Sequence, residues 1–467
     1  MAKQIAPGAL DFASLIRPGE QIVWGQACGE PQTLVETLMA QRAALGGISA
    51  FVGSSFSQTV QPEHADHVRF LSMGAIGTLS RLSRAGALEI IPCHVGQIGA
   101  MIAQGLIACD IVLVQVSPPD GDGRHSFGLI NDYLQAATRK ARLVIAEVND
   151  QVPYTFGDAP LGADQVDFWI ETSRPPVTLA RAEIGKIDRT IAAHVSNYIE
   201  DGATLQMGIG AAPEAIMRLI GDRRDLGIHS GMIGDGVAEL MRAGVITNAR
   251  KSYEPGVTIT GALLGGASLY EFAHRNPAIG MRRSEITHGA AAIEALPNLI
   301  SINSAIEVDV TGQINAEQAG ATYLGGTGGQ VDYVRAGARS PGGRSIIALP
   351  ATAKEGTLSR IVMHLSGPVT TARAETDVIV TEFGWPSGPK GGTETNTHTG
   401  QKCAVASPKN QVKVIKSTLQ KLAQKNWSGI VFEAFSEDWK PSDEGNFGRY
   451  WGICQGQPPY TCVKDFK

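Results

Sequence analysis

Leu205-Gln-Met-Gly208-Ile-Gly210-Ala-Ala-Pro-Glu214 has the pattern of a β-strand, a glycine turn and the start of a helix. At such a turn, free backbone N–H groups and the positive end of the helix dipole can hold a phosphate or an oxyanion. Close packing of the helix against the strand explains the two glycines equally well. The segment therefore predicts a strand–turn–helix unit, with an anion site as one of two interpretations.

The same pattern occurs near the N-terminus. Ile16-Arg-Pro-Gly-Glu-Gln-Ile-Val-Trp-Gly25, followed by Pro31, parallels Ile199-Glu-Asp-Gly-Ala-Thr-Leu-Gln-Met-Gly208, followed by Pro213. Each copy has a turn, a strand, a glycine turn and a proline near a helix start. Two related halves of roughly 190 residues, one domain each, would explain the similarity, and chance is the alternative.

Apolar runs typical of strands alternate with helical stretches up to Gly384. The helical stretch at Pro31 to Ala44, for example, carries Leu34 and Leu38 at helical spacing. Clear apolar runs are Gln21 to Trp24, Ile111 to Val116, Leu143 to Val148, Thr204 to Met207 and Ser345 to Leu349. Such alternation predicts an α/β fold with open, mostly parallel sheets. We expect an N-terminal domain at 1–190 and a second domain at 191–384.

The amino-acid composition of the chain changes near Gly384. Up to that residue it contains 24 Arg and 5 Lys, whereas residues 385–467 contain 1 Arg and 10 Lys, together with four of the six Trp. A domain boundary or a fusion joint near 384 follows, with residues 385–467 as a foreign tail.

Composition excludes several classes of protein. Hydrophobic residues make up 43% and charged residues 18% of the 467 residues, with a net charge of −5, so a globular protein without a nucleic-acid partner is expected. No stretch is long and apolar enough for a spanning helix, and the start lacks a signal-peptide pattern, which predicts a cytoplasmic protein. The six cysteines show no C-x-x-C spacing, so free thiols and no metal site are expected.

Two further segments carry candidate ligand-binding residues. Gly325, Gly326, Gly328 and Gly329 form a dense glycine loop, which suits either close backbone approach to a ligand or a bare flexible turn. Asn303 follows an apolar strand, where it could donate to a developing oxyanion. Glu307 and Asp309 follow it, either facing the same crevice or capping the next turn.

Seven motifs together resemble the acetyl-CoA hydrolase/transferase family over about residues 10–384. They are Ser117-Pro-Pro-Asp120, Ala146-Glu-Val-Asn-Asp-Gln-Val-Pro153, Gly208-Ile-Gly210, Leu226-Gly-Ile-His-Ser230, Ser301-Ile-Asn-Ser-Ala-Ile-Glu-Val-Asp309, Gly328-Gly-Gln-Val-Asp332 and Leu349-Pro-Ala-Thr-Ala-Lys354. This family includes 4-hydroxybutyrate and butyryl CoA-transferases. The resemblance implies two open α/β domains with the active site between them, CoA thioester as substrate rather than a permanent cofactor, a carboxylate as second substrate, and a dimer or tetramer.

The resemblance also implies a covalent route and assigns site residues. A glutamate attacks the thioester to form a mixed anhydride, the CoA thiolate returns to give a glutamyl-CoA thioester, and an incoming carboxylate collects the CoA. Gly208, Ile209 and Gly210 correspond to the mobile loop at the site. Asn303, Gly328 and Gly329 correspond to oxyanion donors, while Gly326 and Lys354 are assigned to CoA.

At one position the chain departs from the family. The glutamate nucleophile of the family follows His-Ser/Thr, and here Gly231 follows His229-Ser230. Transfer is therefore expected to be impaired, and Gly231→Glu is expected to raise activity steeply. Glu30, Glu307 or Glu382 could replace the missing carboxylate; His229 could activate water for hydrolysis, or serve a structural role; and binding of acyl-CoA without catalysis is the remaining alternative.

Residues of about 380–467 resemble the end of a family seventeen glycoside hydrolase, a group of β-1,3-glucanases and transglycosylases built on a TIM barrel. The resemblance rests on Val380-Thr-Glu-Phe-Gly-Trp-Pro-Ser387, Ile430-Val-Phe-Glu-Ala-Phe-Ser-Glu-Asp-Trp-Lys440 and Glu444-Gly-Asn-Phe-Gly-Arg-Tyr-Trp-Gly452. It implies that Glu382 occupies the nucleophile position. It also implies two barrel strands, with an amphipathic helix predicted at 410–425 between them. Glycosidase activity is not expected, because the second carboxyl group that retaining hydrolysis needs is missing.

Overall fold

The computed structural model describes residues 3–382 without interruption and three short strands further on. The chain forms two compact units, Met1–Thr381 and Glu382–Lys467. In the second unit, strands Phe435–Ser436, Cys454–Gln455 and Thr461–Cys462 form one small sheet. The helix predicted at 410–425 lies outside the described residues, and so do most of the two segments, 380–387 and 430–440, that carry the barrel resemblance.

The first large sheet has eight strands in the order β1-β9-β7-β6-β2-β3-β4-β5, and all its pairings are parallel. The first nine strands of the chain are β1 Lys3–Gln4, β2 Gln21–Trp24, β3 Ile48–Phe51, β4 Val68–Ser72, β5 Leu88–Ile90, β6 Ile111–Val116, β7 Leu143–Asn149, β8 Phe156–Gly157 and β9 Phe168–Thr172. Of these, β8 leaves its own half and pairs in the second sheet.

The second large sheet also has eight parallel strands, in the order β23-β19-β14-β10-β11-β12-β13-β8. Its other strands are β10 Thr204–Met207, β11 Gly227–Ile233, β12 Thr258–Leu263, β13 Ile279–Met281, β14 Leu299–Asn303, β19 Arg344–Ala348 and β23 Val378–Val380. Short strands of smaller sheets lie between them: β15 Glu307–Asp309, β16 Ile314–Asn315, β17 Gln318–Ala319, β18 Thr322–Tyr323, β20 Thr352–Ala353, β21 Leu358–Ser359 and β22 Ile361–Val362.

Eleven α-helices lie in the described residues. They are α1 Gln32–Gln41, α2 Ser80–Arg84, α3 Val95–Gln104, α4 Leu134–Lys140, α5 Lys186–Ser196, α6 Ala211–Leu219, α7 Asp235–Arg242, α8 Ala267–Ala273, α9 Ser284–Thr287, α10 Ala290–Ile293 and α11 Gln330–Arg339. None of these described helices is long and apolar enough to cross a membrane.

The α/β fold with mostly parallel sheets is confirmed. Predicted and observed strands agree closely for β2, β6 and β10, because uninterrupted apolar runs are typical of strands buried on both faces. The helix predicted at Pro31 to Ala44 is α1 followed by a 3₁₀ turn, and Leu34 and Leu38 are fully buried.

Seven of the eight strands in each sheet correspond in order, and the edge strands β1 and β8 have no counterpart. When β2 is aligned with β10, the neighbours β3, β4 and β5 match β11, β12 and β13, and β6, β7 and β9 match β14, β19 and β23. The two similar sequence segments, 16–25 and 199–208, therefore contain the equivalent strands β2 and β10. One apolar core cluster includes residues of both sheets, from Val23 in β2 to Ile346 in β19, and the thiols of Cys28, Cys93 and Cys109 are free and buried within it.

Asp132 is a buried acid between the two halves. Its burial predicts that the free energy of unfolding depends on pH. Gln26 and the Tyr133 backbone N–H donate to its carboxylate, and its backbone carbonyl accepts from Ser284 N at 3.1 Å. Burial raises its pKa to about 7, above an unfolded value of about 3.9. The folded state therefore disfavours the charged form of Asp132. The contribution of this group to the free energy of unfolding is fully present below about pH 4 and is lost as the pH rises through 7.

We expect the free energy of unfolding to lose roughly 3 kcal/mol through this group between pH 5 and pH 8. Urea titrations at the two pH values measure this loss, and Asp132→Asn is the matched control because it cannot ionise. The asparagine variant should show a shallower pH dependence. Identical pH dependence in the two proteins would assign the effect to other groups.

Candidate functional site

The carboxyl ends of β10 and β14 meet in the middle of the second sheet. In the sheet, β10 has β11 on one side and β14 on the other. Strands that follow β10 directly in the chain therefore extend the sheet in one direction, and later strands extend it in the opposite direction, so the strand order reverses at β10. Open α/β sheets bind ligands in the crevice at such a reversal. The Gly208–Gly210 turn follows β10 and Asn303 ends β14, so these predicted site residues follow neighbouring strands.

Asn303 is held by its neighbours. Its Nδ2 donates to Gln206 Oε1 at 3.1 Å and to Ser301 Oγ at 3.0 Å. An amide NH₂ has two hydrogens, so both are engaged within the protein. The predicted oxyanion role therefore requires Asn303 to release one of these partners.

The Gly208–Gly210 turn is open. A side chain at Gly208 or Gly210 would meet no atom within 4 Å, and Ile209 between them is 40% exposed. Gly210 has φ +123°, a backbone conformation that favours glycine, and directly precedes the first residue of α6. Gly210 therefore serves the backbone conformation of the turn, and close packing of helix on strand explains neither glycine.

This turn lines a cavity of about 420 Å³. Residues of both halves of the chain form its apolar wall, which includes Phe56, Leu179, Leu205, Met207, Met217, Ile228 and Met232. Charged groups enter at the rim, where Arg181 pairs with Glu239 and lies 3.8 Å from Glu214 and 4.0 Å from Asp235. Because three carboxylates surround the one guanidinium, the arrangement suits a small apolar group beside a neutral polar one.

Gly231 faces away from this cavity. Ser230 and Met232 line the cavity, and successive side chains of a strand point to opposite faces. A Cβ atom built on Gly231 would lie 2.5 Å from Cε1 and 2.7 Å from Nε2 of His288. A Cβ atom built on Gly329 would lie 2.3 Å from His288 Nε2. Two predicted site glycines thus surround one imidazole that the sequence analysis did not identify.

His288 is a neutral group in this position. Its Nδ1 lies 2.8 Å from Thr287 Oγ1, and its ring centroid lies 4.9 Å from that of Tyr333. Burial, with a smaller contribution from the neighbouring His229, lowers the pKa of His288 to about 3. The imidazole therefore fills space and offers hydrogen bonds, but it is a weak base at neutral pH.

The Gly325–Gly329 loop packs against the first half. Ala75 N donates to Gly325 O at 2.8 Å, and Val95 N donates to Gly328 O at 3.0 Å. A Cβ atom built on Gly74 would lie 2.5 Å from Gly325 O, and one built on Gly326 would lie 3.0 Å from Gly74 Cα, so this close approach favours glycine at both 74 and 326. Neither this loop nor Asn303 lines the 420 Å³ cavity. The structure thus brings Gly329 to Gly231 but leaves the Gly208–Gly210 turn on the other face of β11.

The surroundings of His229 favour the structural one of its two interpretations. It is fully buried, and its Nε2 lies 3.2 Å from Ile286 O. Burial, assisted by the nearby Lys251 charge, lowers its pKa to about 4. A buried imidazole that stays neutral and bonds to a backbone carbonyl orients its neighbours and is poorly suited to activate water.

Three glutamates were predicted as replacements for the carboxylate missing at position 231, and their surroundings differ. Glu30 is fully buried and accepts from Ser55, Ser57 and Thr59 hydroxyls. Glu307 lies in β15, where it accepts from Asn315 Nδ2 at 2.9 Å and Ser366 Oγ at 2.9 Å. Glu382 ends the continuously described stretch. Neither Glu30 nor Glu307 lines the cavity at the Gly208–Gly210 turn.

Lys354 is exposed in the hairpin between β20 and β21 and has φ +49°. Its backbone carbonyl accepts from Thr357, which holds the turn. Among the described residues no cluster of three or more His, Cys, Asp or Glu could hold a metal ion.

Two domain families match the chain in sequence. The acetyl-CoA hydrolase/transferase N-terminal domain matches residues 7–180, and the acetyl-CoA hydrolase/transferase C-terminal domain matches residues 265–414. The second match continues past Gly384, where the sequence changes character.

Curated relatives and solved structures agree with these matches. The 4-hydroxybutyrate coenzyme A transferase of Clostridium kluyveri is 36% identical over 79% of this chain and 87% of its own length. The butyryl-CoA:acetate CoA-transferase of Anaerostipes caccae is 30% identical over 80% of this chain and 87% of its own. RipA from Yersinia pestis has a TM-score of 0.76 at 32% identity, covering 82% of this chain and 89% of RipA.

The 4-hydroxybutyrate CoA-transferase from Porphyromonas gingivalis gives a TM-score of 0.71 at 30% identity, covering 91% of this chain and 98% of that structure. The parallel sheets, the crevice at the reversal of strand order and these similarities agree with one another. The chain therefore belongs to the acetyl-CoA hydrolase/transferase family and is an enzyme of the CoA-transferase type.

Proposed function

We propose that this protein transfers coenzyme A between a short acyl-CoA thioester and a free carboxylate. The observation that carries the proposal is the approach of Gly329 to Gly231, because a Cβ atom built on either glycine would meet the His288 ring. The family resemblance assigns the reacting carboxylate to position 231 and an oxyanion donor to Gly329, so the acyl carbonyl would react here and not in the cavity at the Gly208–Gly210 turn. The named relatives act on 4-hydroxybutyrate, butyryl and acetyl groups, so a short acyl group is the proposed substrate.

The missing carboxylate at Gly231 limits the rate in this proposal. A glutamate there would form the anhydride in related enzymes, and glycine has no atom that can do so. Glu30 is fully enclosed by its hydroxyl partners, and Glu307 is bonded within the smaller sheet, so both are poorly placed as substitutes. We therefore propose slow transfer, with thioester hydrolysis as the second activity and acyl-CoA binding without catalysis as the alternative.

Incubation of the purified protein with butyryl-CoA and acetate tests the proposal. We expect acetyl-CoA to appear slowly and at a rate that increases with acetate, because the acceptor carboxylate takes the CoA. Chromatography of the CoA species over time provides the measurement. Free CoA released without acetate would identify a hydrolase, and no turnover with saturable butyryl-CoA binding would identify a binding protein.

We further propose that residues of about 380–467 derive from a family seventeen glycoside hydrolase. The support is the Glu382-Phe-Gly-Trp-Pro-Ser387 string and the change in Lys and Arg usage near Gly384. The C-terminal domain match that continues to residue 414 argues for a joint further along the chain. A β-1,3-glucan-active enzyme is the third alternative, and release of reducing sugar from a β-1,3-glucan would support it.

A further inference from the structure

His94 and Asp332 form a polar pair across the two halves of the chain, called here the His94–Asp332 pair. His94 directly precedes α3, and Asp332 lies in the first turn of α11. The distance from His94 Nδ1 to Asp332 Oδ1 is 3.9 Å. In the part of the chain that the structure describes, His94 Nδ1 and Asp332 Oδ2 are buried atoms without a hydrogen-bond partner. Because buried polar atoms are nearly always bonded, two such atoms in one pair call for an explanation other than stability.

The pair lies beside the place where the acyl carbonyl would react. Val95 N donates to Gly328 O at 3.0 Å, so the start of α3 is fixed against the glycine loop. A Cβ atom built on Gly96 would lie 3.1 Å from His288 Cβ and 3.3 Å from Asp332 Oδ2. The first turn of α3 therefore packs against both the carboxyl group of the pair and the imidazole that borders the predicted nucleophile position.

His94 differs in its exposure from the two other histidines at this place. Its side chain is 25% exposed although Nδ1 is buried, so solvent reaches the side chain at a point other than the nitrogen that faces Asp332. His229 and His288 are both buried, and burial keeps both neutral. Among these three imidazoles, His94 is therefore the one that a water molecule can reach.

The Asp332 carboxyl group suits the role of a partner for an imidazolium. Burial raises its pKa, whereas a positive charge on His94 lowers it, so the carboxylate is most stable when His94 carries a proton. An imidazole that removes a proton from water reaches this state. Catalytic hydrogen bonds are often long in a protein without substrate and shorten when the substrate binds, which agrees with the separation of 3.9 Å.

We propose that the His94–Asp332 pair activates a water molecule, so that the protein hydrolyses acyl-CoA thioesters without a carboxylate at position 231. This inference rests on the proposed function and assigns a site to its second activity. His94 Nε2 takes a proton from the water as the water oxygen bonds to the thioester carbonyl carbon. The oxyanion that forms would meet Gly329, the donor that the family resemblance assigns. The C–S bond then breaks, and the CoA thiolate takes the proton from His94, which leaves free CoA and the carboxylic acid. Asp332 is a positioning residue in this step.

Incubation of the full chain with butyryl-CoA tests the inference. Free CoA released without acetate, above a protein-free sample, measures hydrolysis, and acetyl-CoA formed with acetate measures transfer. His94→Gln should lower hydrolysis by about a hundredfold and transfer far less, because a general base contributes roughly that much. His67→Gln is the matched control, since His67 is exposed and lies at the amino end of β4, away from the carboxyl ends of the strands.

Two further readouts separate catalysis from a structural role. Added imidazole should restore hydrolysis to His94→Ala in a saturable manner, because it enters the exposed space that the side chain leaves. Asp332→Asn should lower hydrolysis by about tenfold in the natural chain but have no further effect in His94→Gln, since residues that act as a unit are not additive. His94 makes no side-chain bond to the start of α3, so its replacement leaves the helix start intact.

The outcomes separate this inference from the proposed transfer. Unchanged hydrolysis in a folded His94 variant overturns the inference, and so do independent losses from the His94 and Asp332 substitutions. No free CoA above the protein-free sample overturns it as well. Absence of acetyl-CoA in the presence of acetate would instead overturn the transferase function, whatever the amount of free CoA.

Discussion

A variant that carries both Gly231→Glu and His288→Ala should transfer CoA from butyryl-CoA to acetate roughly a hundredfold faster than the natural chain, or more. The glutamate supplies the carboxylate that forms an anhydride with the acyl group, and loss of a covalent nucleophile commonly costs several powers of ten in rate. The alanine is required because a Cβ atom at 231 would lie 2.5 Å from His288 Cε1. Formation of acetyl-CoA under initial-rate conditions provides the measurement.

The single Gly231→Glu variant, which the sequence alone predicts to be sufficient, should gain much less. A side chain at 231 would be overpacked against the buried His288 ring, which typically costs about 1–3 kcal/mol, so the thermal midpoint of this variant should fall. Gly231→Gln with His288→Ala is the matched control, because it has the same shape without a nucleophile. Equal rates for the glutamate and glutamine double variants would refute the assignment of position 231.

Replacement of Glu30 by alanine should lower the free energy of unfolding by roughly 3 kcal/mol. The substitution leaves the hydroxyls of Ser55, Ser57 and Thr59 without their acceptor in a buried place, and each such loss costs about 1–3 kcal/mol. It also opens a cavity at a fully buried position. The individual costs are not additive, because the three hydroxyls bond to one another as well.

Urea titration with a shared m-value measures this loss, and Glu30→Gln is the control because its amide oxygen still accepts from the hydroxyls. Burial raises the pKa of Glu30, so the folded state disfavours its charged form and the neutral glutamine should cost less than alanine. Alanine and glutamine variants of equal, wild-type stability would show that the hydroxyl cluster contributes nothing.

Much of the candidate site was predictable from the sequence, but not the division of its residues between the two faces of β11. Glycines at 208, 210, 328 and 329 and the strand-end Asn303 were identifiable, since turns and strand ends have local signals. The sequence placed them in one crevice. The structure separates them across β11, because alternate residues of a strand face opposite sides and neighbouring positions can therefore serve different spaces.

His288 shows what local patterns omit. It lies 57 positions after Gly231 in the sequence, and its contact with Gly231 depends on how the end of α9 packs on β11. No spacing or neighbouring residue type distinguishes it from an ordinary structural histidine.

The amino-acid sequence by itself determined the alternation of strands and helices and the parallel α/β architecture, and its motifs carried the resemblance to the family. The alternation follows from hydrophobic periodicity and glycine turns, which act over a few residues. Only the tertiary structure decided that His288 occupies the space beside Gly231 and that Glu30 is enclosed by the hydroxyls of Ser55, Ser57 and Thr59. Steric exclusion and burial arise between residues far apart in the chain, so no local pattern contains them.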